Sequence, residues 1–375
     1  MHNNSKTIWR KVRLGDVIKL KYGFALQEKY RKPGTVPVYG SSGIVGHNNE
    51  PMIPPRGIII GRKGNVGSIY YSPVASYPID TVFYIDPRDT KVYPLFLFYL
   101  FKTVSFKKIG SDTGVPGLNR DMAYSLEVSI PEDEATQQQI AENLSAFDDK
   151  IELNNKISKN LEQTAQAIFK EWLSKNQKSK IKYQKLDDLL KVISGYPFPS
   201  KLYSMDKKDF GVVTIKNVQD GKFITSCDSF IDAENIPKNI NQECRIYDGD
   251  ILLSLTGNVG RVCFVYGGKY LLNQRVAKLK PKNEKDRAFC YFLFRQASVQ
   301  NQLINMAKGS AQPNLSPVET GKIQFCIPPR EILDNFSKLA SPIYQRLIKN
   351  VNENQKLAAL RDLLLPKLMN GKIKV

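Results

Sequence analysis

The sequence predicts an α+β protein built twice over. Two mixed α/β domains are each followed by a long helix, and the two helices form an antiparallel coiled coil within a pseudo-twofold internal repeat. Three observations carry this. The tetrapeptide Gly-Asn-Val-Gly occurs at Gly64–Gly67 and again at Gly257–Gly260, each time between β-branched and aromatic runs. Each domain closes on an Ile-Pro, at Ile130-Pro131 and Ile327-Pro328. Beyond each Ile-Pro a long glycine-free stretch begins, with apolar residues stepping by three and four.

The repeat extends well past the tetrapeptide. Leu14, Asp16 and Gly23 match Leu186, Asp188 and Gly195, each pair 172 residues apart. The glycine motif and the polar steps Asp80 and Asn273, in "PIDTVFY" and "LLNQRVAKL", recur 193 apart. Pro116, Leu118 and Pro131 match Pro313, Leu315 and Pro328 at 197, and Phe147, Asn154 and Leu161 match Ile343, Asn350 and Leu357 at 196. The second copy therefore gains its extra residues almost entirely between its first strand and the glycine motif. A framework kept while one region varies suits two modules that read different targets through their loops.

Composition bounds the partner. With 55 Lys and Arg against 36 Asp and Glu, the formal charge is +19, which points to a polyanion and first to nucleic acid. At 375 residues and 42% hydrophobic content, the chain can bury more than one core. Met1 to Arg10 is polar, with no apolar stretch of a signal peptide, and the longest apolar run, Tyr93 to Phe101, is too short to span a bilayer. A cytoplasmic location with no membrane partner is expected. The five cysteines, Cys227, Cys244, Cys263, Cys290 and Cys326, form no CxxC pair and read as core residues rather than zinc or disulfide sites.

The runs "GIIIGRKGNVGSIYY" and "DILLSLTGNVGRVCFVY" read as strand pairs joined at the glycine motif. "YPLFLFYLFKTVSF" and "RAFCYFLFRQASVQNQLINMA" read as short buried helices, followed by a loop and a last strand ending at the Ile-Pro. Domain bounds follow at 1–135 and 176–330, with helices within 136–175 and 331–375. Pro366 is expected to end or kink the second helix.

One helix face carries Phe147, Ile151, Asn154, Ser158, Leu161, Ala165, Ile168 and Trp172, and the other Ile343, Leu347, Asn350, Asn354, Leu357, Leu360 and Leu364. Either each stripe packs on its own domain or the two pair as a seam; matched Asn154 and Asn350 favour the seam, since a buried Asn fixes register. A helix of about 38 residues is roughly 57 Å long, whereas the connection from Ser174 to Gln184 spans at most about 36 Å. The chain cannot easily return to its start, so the helices should run antiparallel and place the domains at opposite ends of a rod. That pseudo-twofold would match the dyad of duplex DNA.

The segment "LSAFDDKIELNNKISKNLEQTAQAIFKEWL" (Leu144 to Leu173) resembles the central helix of specificity (S) subunits of type I restriction-modification systems. "LRDLLLPKLMNGKIKV" resembles that family's C-terminal end, and "WRKVRLGDV", "PIDTVFY", "SLTGNVGR", "LLNQRV" and "KGSAQPNLS" resemble its recognition-domain signatures, so the likeness covers essentially the whole chain. The stretches after each Ile-Pro depart from the family pattern, which is richer in Pro, Leu and paired Glu. The resemblance implies two target-recognition domains, each reading one half of an asymmetric bipartite site on double-stranded DNA. It also implies a helical spacer, two adenine methyltransferase (M) subunits as partners, and restriction (R) subunits joined through or beside them.

Catalytic signatures are missing: Pro54-Pro55 and Pro328-Pro329 lack the (Asp/Asn)-Pro-Pro-(Tyr/Phe) pattern of adenine methylation, no phosphate-binding GxxxxGK[ST] occurs, and His2 and His47 are too few for a triad. No cofactor or metal is expected, and the chain reads as a non-catalytic subunit. An assembly scaffold that leaves DNA to other subunits is the competing class. For DNA contact the candidates flank the two turns: Arg62, Lys63 and Asn65 in the first copy, Thr256, Asn258 and Arg261 in the second. The turn glycines themselves have a purely conformational alternative. Asn273, Gln274 and Arg275 form the richest patch, since Asn and Gln can grip adenine and Arg guanine; the alternative is that Asn273 caps a strand and Arg275 pairs with a carboxylate. Ser41 and Ser42, with Gln312 and Asn314, lie in small polar loops that could approach phosphate, Tyr22 and Tyr196 suit core packing or base contact, and Arg120 and Lys201 complete the set.

Overall fold

A computed structural model describes residues 8–106, 117–176, 182–221, 223–307 and 313–375. They form two compact units, Met1–Lys150 with Leu357–Val375, and Ile151–Lys356.

The first unit is organised by Gly57–Gly61, whose three isoleucines are all buried. A strand with one wet face would alternate; this one does not, because both faces are covered. Ile58 and Ile60 join the core beneath the helix Pro94–Thr103, while Ile59 faces Tyr39 and Val82 on the other side. The strand is central in an antiparallel sheet ordered Lys21–Tyr22, Val82–Ile85, Gly57–Gly61, Ile69–Ser72. A smaller sheet, Gly43–Asn48, Val36–Gly40, Tyr77–Pro78, contains one parallel pairing, Val38 with Tyr77.

The second unit repeats this plan. Its larger sheet runs Leu190–Ser194, Val276–Pro281, Ile251–Ser254, Val262–Val265, then an additional edge strand, Phe223–Ile224. Ile251 and Leu253 face the core that holds the helix Arg287–Phe294, and Leu252 faces the smaller sheet. That sheet again has a parallel pair, Gly211 with Tyr270. Most of the extra residues of the second copy lie between two strands of this smaller sheet, and the rest precede Ile251–Ser254. In the first unit only Ser41 and Ser42 separate Val36–Gly40 from its antiparallel neighbour Gly43–Asn48; in the second, Phe210–Val213 reaches Phe230–Ile231 through a loop that itself supplies Phe223–Ile224.

The long helices span Glu134–Asn176 and Arg330–Met369. The second does not end at Pro366. A missing N–H and a ring clash cost about 3 kcal/mol in a helix interior, but Leu365, Leu368 and Met369 are buried in the first unit's core, and burying such side chains at roughly 1.5–3 kcal/mol each outweighs the loss. Pairing is antiparallel within each unit. In the second, Asn350 Nδ2 donates to Ser158 Oγ at 3.0 Å and to the Asn154 carbonyl at 3.4 Å, while Asn154 Nδ2 donates to Asn354 Oδ1 at 2.9 Å. In the first, Arg361 pairs with Asp148, while Leu144 shares a core with Leu365 and Leu368.

Along the expected seam, Asn154, Leu347 and Asn350 are buried, whereas Phe147, Ile151, Leu161, Ile168, Ile343, Leu357 and Leu364 are partly covered. Leu360, expected on the same face, is 49% exposed. Away from the asparagines the deepest positions rotate to Leu144 in the first unit, and to Phe169, Phe336 and Tyr344 in the second. There each helix meets its domain core as well as its partner helix, so the buried stripe answers to two surfaces at once.

Candidate nucleic-acid interface

Each glycine turn has the same backbone. Gly64 and Gly67 have φ of 72° and 75°, and Gly257 and Gly260 have 67° and 83°. Those values lie in the left-handed region that side chains with a Cβ rarely adopt, so these glycines are conformational requirements, and any reading of a ligand falls to their neighbours.

In the first unit the neighbours converge from distant parts of the chain. Arg62 is fixed through its backbone, its N–H donating to the Thr81 carbonyl at 3.0 Å and its carbonyl accepting from Leu118 N–H at 3.0 Å. Its guanidinium donates to the Asp80 carbonyl at 2.8 Å and lies 5.1 Å from the centre of the Tyr22 ring. Arg120, at the start of the helix Arg120–Ser125, lies 5.5 Å from the same ring. Tyr22 rests against Phe83 at 4.8 Å yet stays 48% exposed, so it is a platform flanked by two cations rather than a core residue. The Ser41 carbonyl accepts from Ser68 Oγ at 2.6 Å and from the Tyr70 hydroxyl at 3.2 Å, which brings the Ser41-Ser42 turn against the glycine turn. Lys63, Asn65 and Ser42 are exposed around it.

In the second unit several candidates are committed internally. Asn273 Nδ2 donates to the Tyr203 hydroxyl at 2.9 Å, and its Oδ1 accepts from Arg275 N–H at 3.3 Å. The amide caps its own turn, and a bidentate grip on adenine would require breaking these bonds. Burial pushes the Tyr203 phenol upward, and the donated Asn273 bond works the other way. Tyr196 pairs with Phe198 at 5.0 Å and its carbonyl accepts Gln274 N–H at 3.1 Å, which leaves the Gln274 and Arg275 side chains exposed. Thr256 bridges to Asn314, and Ser254 Oγ holds the turn closed by donating to the Asn258 carbonyl and accepting from Arg261 N–H. Lys201 is exposed in the short turn Ser200–Leu202, and Gln312 lies outside the described residues.

Around the second turn is a cavity of about 450 Å³, lined by Gly257 to Arg261 together with Asp220, Gln300, Ile304 and Pro313. Asp220 and Gln300 escaped sequence reasoning for different reasons. Asp220 lies in the added loop, where the repeat offers no counterpart, and Gln300 is one amide among several on the helix Ala297–Ala307. Thr81 and Phe83, which seat Arg62 and Tyr22, carried a signal in "PIDTVFY", the stretch that aligns with "LLNQRVAKL". Among the described residues no three His, Cys, Asp or Glu side chains gather as a metal site, and no helix is long and apolar enough to cross a membrane.

Residues 7–163 and 178–359 match the family model described as the type I restriction modification DNA specificity domain. The chain is 28% identical over 393 residues to the type I restriction enzyme HindI specificity subunit of Haemophilus influenzae, covering 83% of this chain and 85% of the relative. It is 29% identical over 356 residues to the MjaIX specificity subunit of Methanocaldococcus jannaschii, covering 86% and 79%. Among solved structures it resembles the S subunit of a type I restriction-modification system from M. genitalium, with a TM-score of 0.63 at 17% identity over 98% of each chain.

Proposed function

The chain belongs to the family of the type I restriction modification DNA specificity domain, and from that premise we propose that each of its two domains reads one half of a bipartite, asymmetric duplex target. The paired helices set the gap between the halves and present the surface on which two adenine methyltransferase subunits dock, with restriction subunits joining the same complex. The methyl transfer and the cleavage belong to those partners, and this chain supplies the address.

One observation carries the reading. The same left-handed glycine turn recurs in both domains, each time with basic or amide side chains around it, on a chain of charge +19. Around the first turn, Arg62, Arg120 and the half-exposed Tyr22 offer guanidinium donors and a flat apolar face, the groups that contact phosphates and base edges. Around the second, the exposed Gln274 and Arg275 do the corresponding work.

A gel-shift titration of the full chain on duplex DNA across a salt series tests it. Phosphate-dominated contact gives a log-log slope of about −0.9 per phosphate neutralised. A flat response would support the scaffold role, with DNA held by other subunits.

A further inference from the structure

Resting on the DNA-reading conclusion above, we propose that Arg295 is a positioning residue for the second half-site, tying the second glycine turn to the first long helix. Arg295 directly follows the helix Arg287–Phe294, and its side chain is only 13% exposed. Its Nε donates to Glu162 Oε1 at 2.8 Å, and Glu162 also accepts the Tyr291 hydroxyl at 2.9 Å. Another guanidinium nitrogen pairs with Asp220 on the added loop. One cation thus bridges a carboxylate of the long helix and a carboxylate beside the turn.

Asp220 passes the constraint on. Its Oδ1 accepts Val262 N–H at 3.1 Å, two residues beyond Gly260, and Gln300 Nε2 at 2.9 Å. Gly221 N–H donates to the Val262 carbonyl at 2.8 Å, so the added loop is stitched to the strand leaving the turn. Gly221 has φ of 67°, a conformation that side chains with a Cβ rarely adopt, and a Cβ there would stand 2.6 Å from the Arg295 guanidinium. Asp220 and Gln300 form part of the wall facing Gly257 to Arg261.

Among its described residues the first domain has no such link. There Tyr99 donates to Asp148, with Lys102 and Arg361 alongside, but among the described residues that group makes no bond to the Gly64–Gly67 turn. Partly buried charges of this kind hold their places only while paired. Without Arg295, Glu162 and Asp220 lose their shared counter-charge, and the loop that bears on the turn loses its anchor.

The test is selection by the purified full chain from a randomised duplex DNA pool, with sequencing of the bound fraction. Arg295→Met is expected to lower base enrichment in the second half-site by about tenfold while first-half enrichment stays within about twofold. Arg295→Lys, which can pair with one carboxylate but not bridge two, should fall between Met and the parent. If Arg295→Met does not fold, the double variant Glu162→Gln with Arg295→Met removes the more buried of the two orphaned charges, leaving the more exposed Asp220, and should fold while still failing to select the second half. Equal loss at both halves, or no change at either, overturns the proposal. If the parent chain selects no two-part site, the DNA-reading conclusion itself fails and this proposal goes with it; if it selects one and the variants match it, only the role of Arg295 is lost.

Discussion

The two glycine turns share a backbone and differ in what surrounds them. The first is framed by its own strands and by the Ser41-Ser42 turn, with Tyr22, Arg62 and Arg120 beside it. The second is walled by an added loop and by the helix Ala297–Ala307, with Asp220 hydrogen-bonded to both the strand leaving the turn and Gln300. One scaffold has thus been kept where the backbone is demanding and altered where side chains present themselves, which is how duplicated domains come to bind different sequences.

The largest effect should come from disturbing the helices that both domains share. Two residues inserted after Ser158 rotate the remainder of that helix by about 200°, which turns Ala165 and Phe169 away from Phe336 on the second helix and should abolish specific binding; four residues rotate it by about 40° and add roughly 6 Å. Electrophoretic binding to duplexes of stepped gap length separates the cases: the four-residue variant should prefer a longer gap with both half-sites unchanged. Equal behaviour of the two insertions would dissolve the idea of a spacer.

Breaking one turn at a time sharpens the comparison. Gly64→Val and Gly257→Val each force a β-branched residue to positive φ, a strain of about 1–3 kcal/mol. Each should erase selectivity for its own half alone in a randomised-pool selection, and loss of both halves from either variant would mean that the turns do not act independently.

Side-chain truncations should be gentler and still separable. Arg62→Ala is expected to cost about 1–3 kcal/mol in affinity and relax the first half-site, and Arg275→Ala to do the same for the second. Asn273→Ala is expected chiefly to lower stability, by about 1 kcal/mol, because it loses the bond to Tyr203 rather than one to DNA. Fluorescence anisotropy and thermal melts on the same variants would show whether Asn273 follows Arg275 instead.

The smallest effect is one of pH. Burial first, then the bond to Asp148, holds the Tyr99 phenol well above its usual range; burial, then the nearby Glu162 charge, does the same for Tyr291. A folded-state value raised above an unfolded one near 10 means that the stability is fully present below about pH 10 and is lost as pH rises toward the folded value. Melting temperature should therefore decline above about pH 10, and less steeply in Tyr99→Phe and Tyr291→Phe. A decline unaltered in both variants would place its origin elsewhere.

The sequence made the duplication, both turns, both long helices and the asparagine pair legible, because each rests on local periodicity or on repetition. What it hid depends on contacts across the fold. For Asn273 the sequence leaves open a grip on a base or a cap on its strand, and only the bond to Tyr203, 70 residues earlier, favours the cap. Leu360 followed the seam periodicity, but toward the helix ends the domain cores draw burial to Leu365 and Leu368. Pro366 reads in sequence as an end or a kink, and the helix runs on past it to Met369 because the apolar burial around it prevailed. Tyr22, poised between packing and contact, became a platform only when Arg62 and Arg120 were placed beside it.

The central claim is that each domain reads its own half of the target, and exchange of one domain tests it most directly. Residues ~185 to 325 would be replaced by the corresponding stretch of another family member, and the bases selected from a randomised duplex pool compared with those of the parent chain. One half of the selected motif should change while the other half and the gap stay as they were. A change in both halves, or in neither, would contradict the claim.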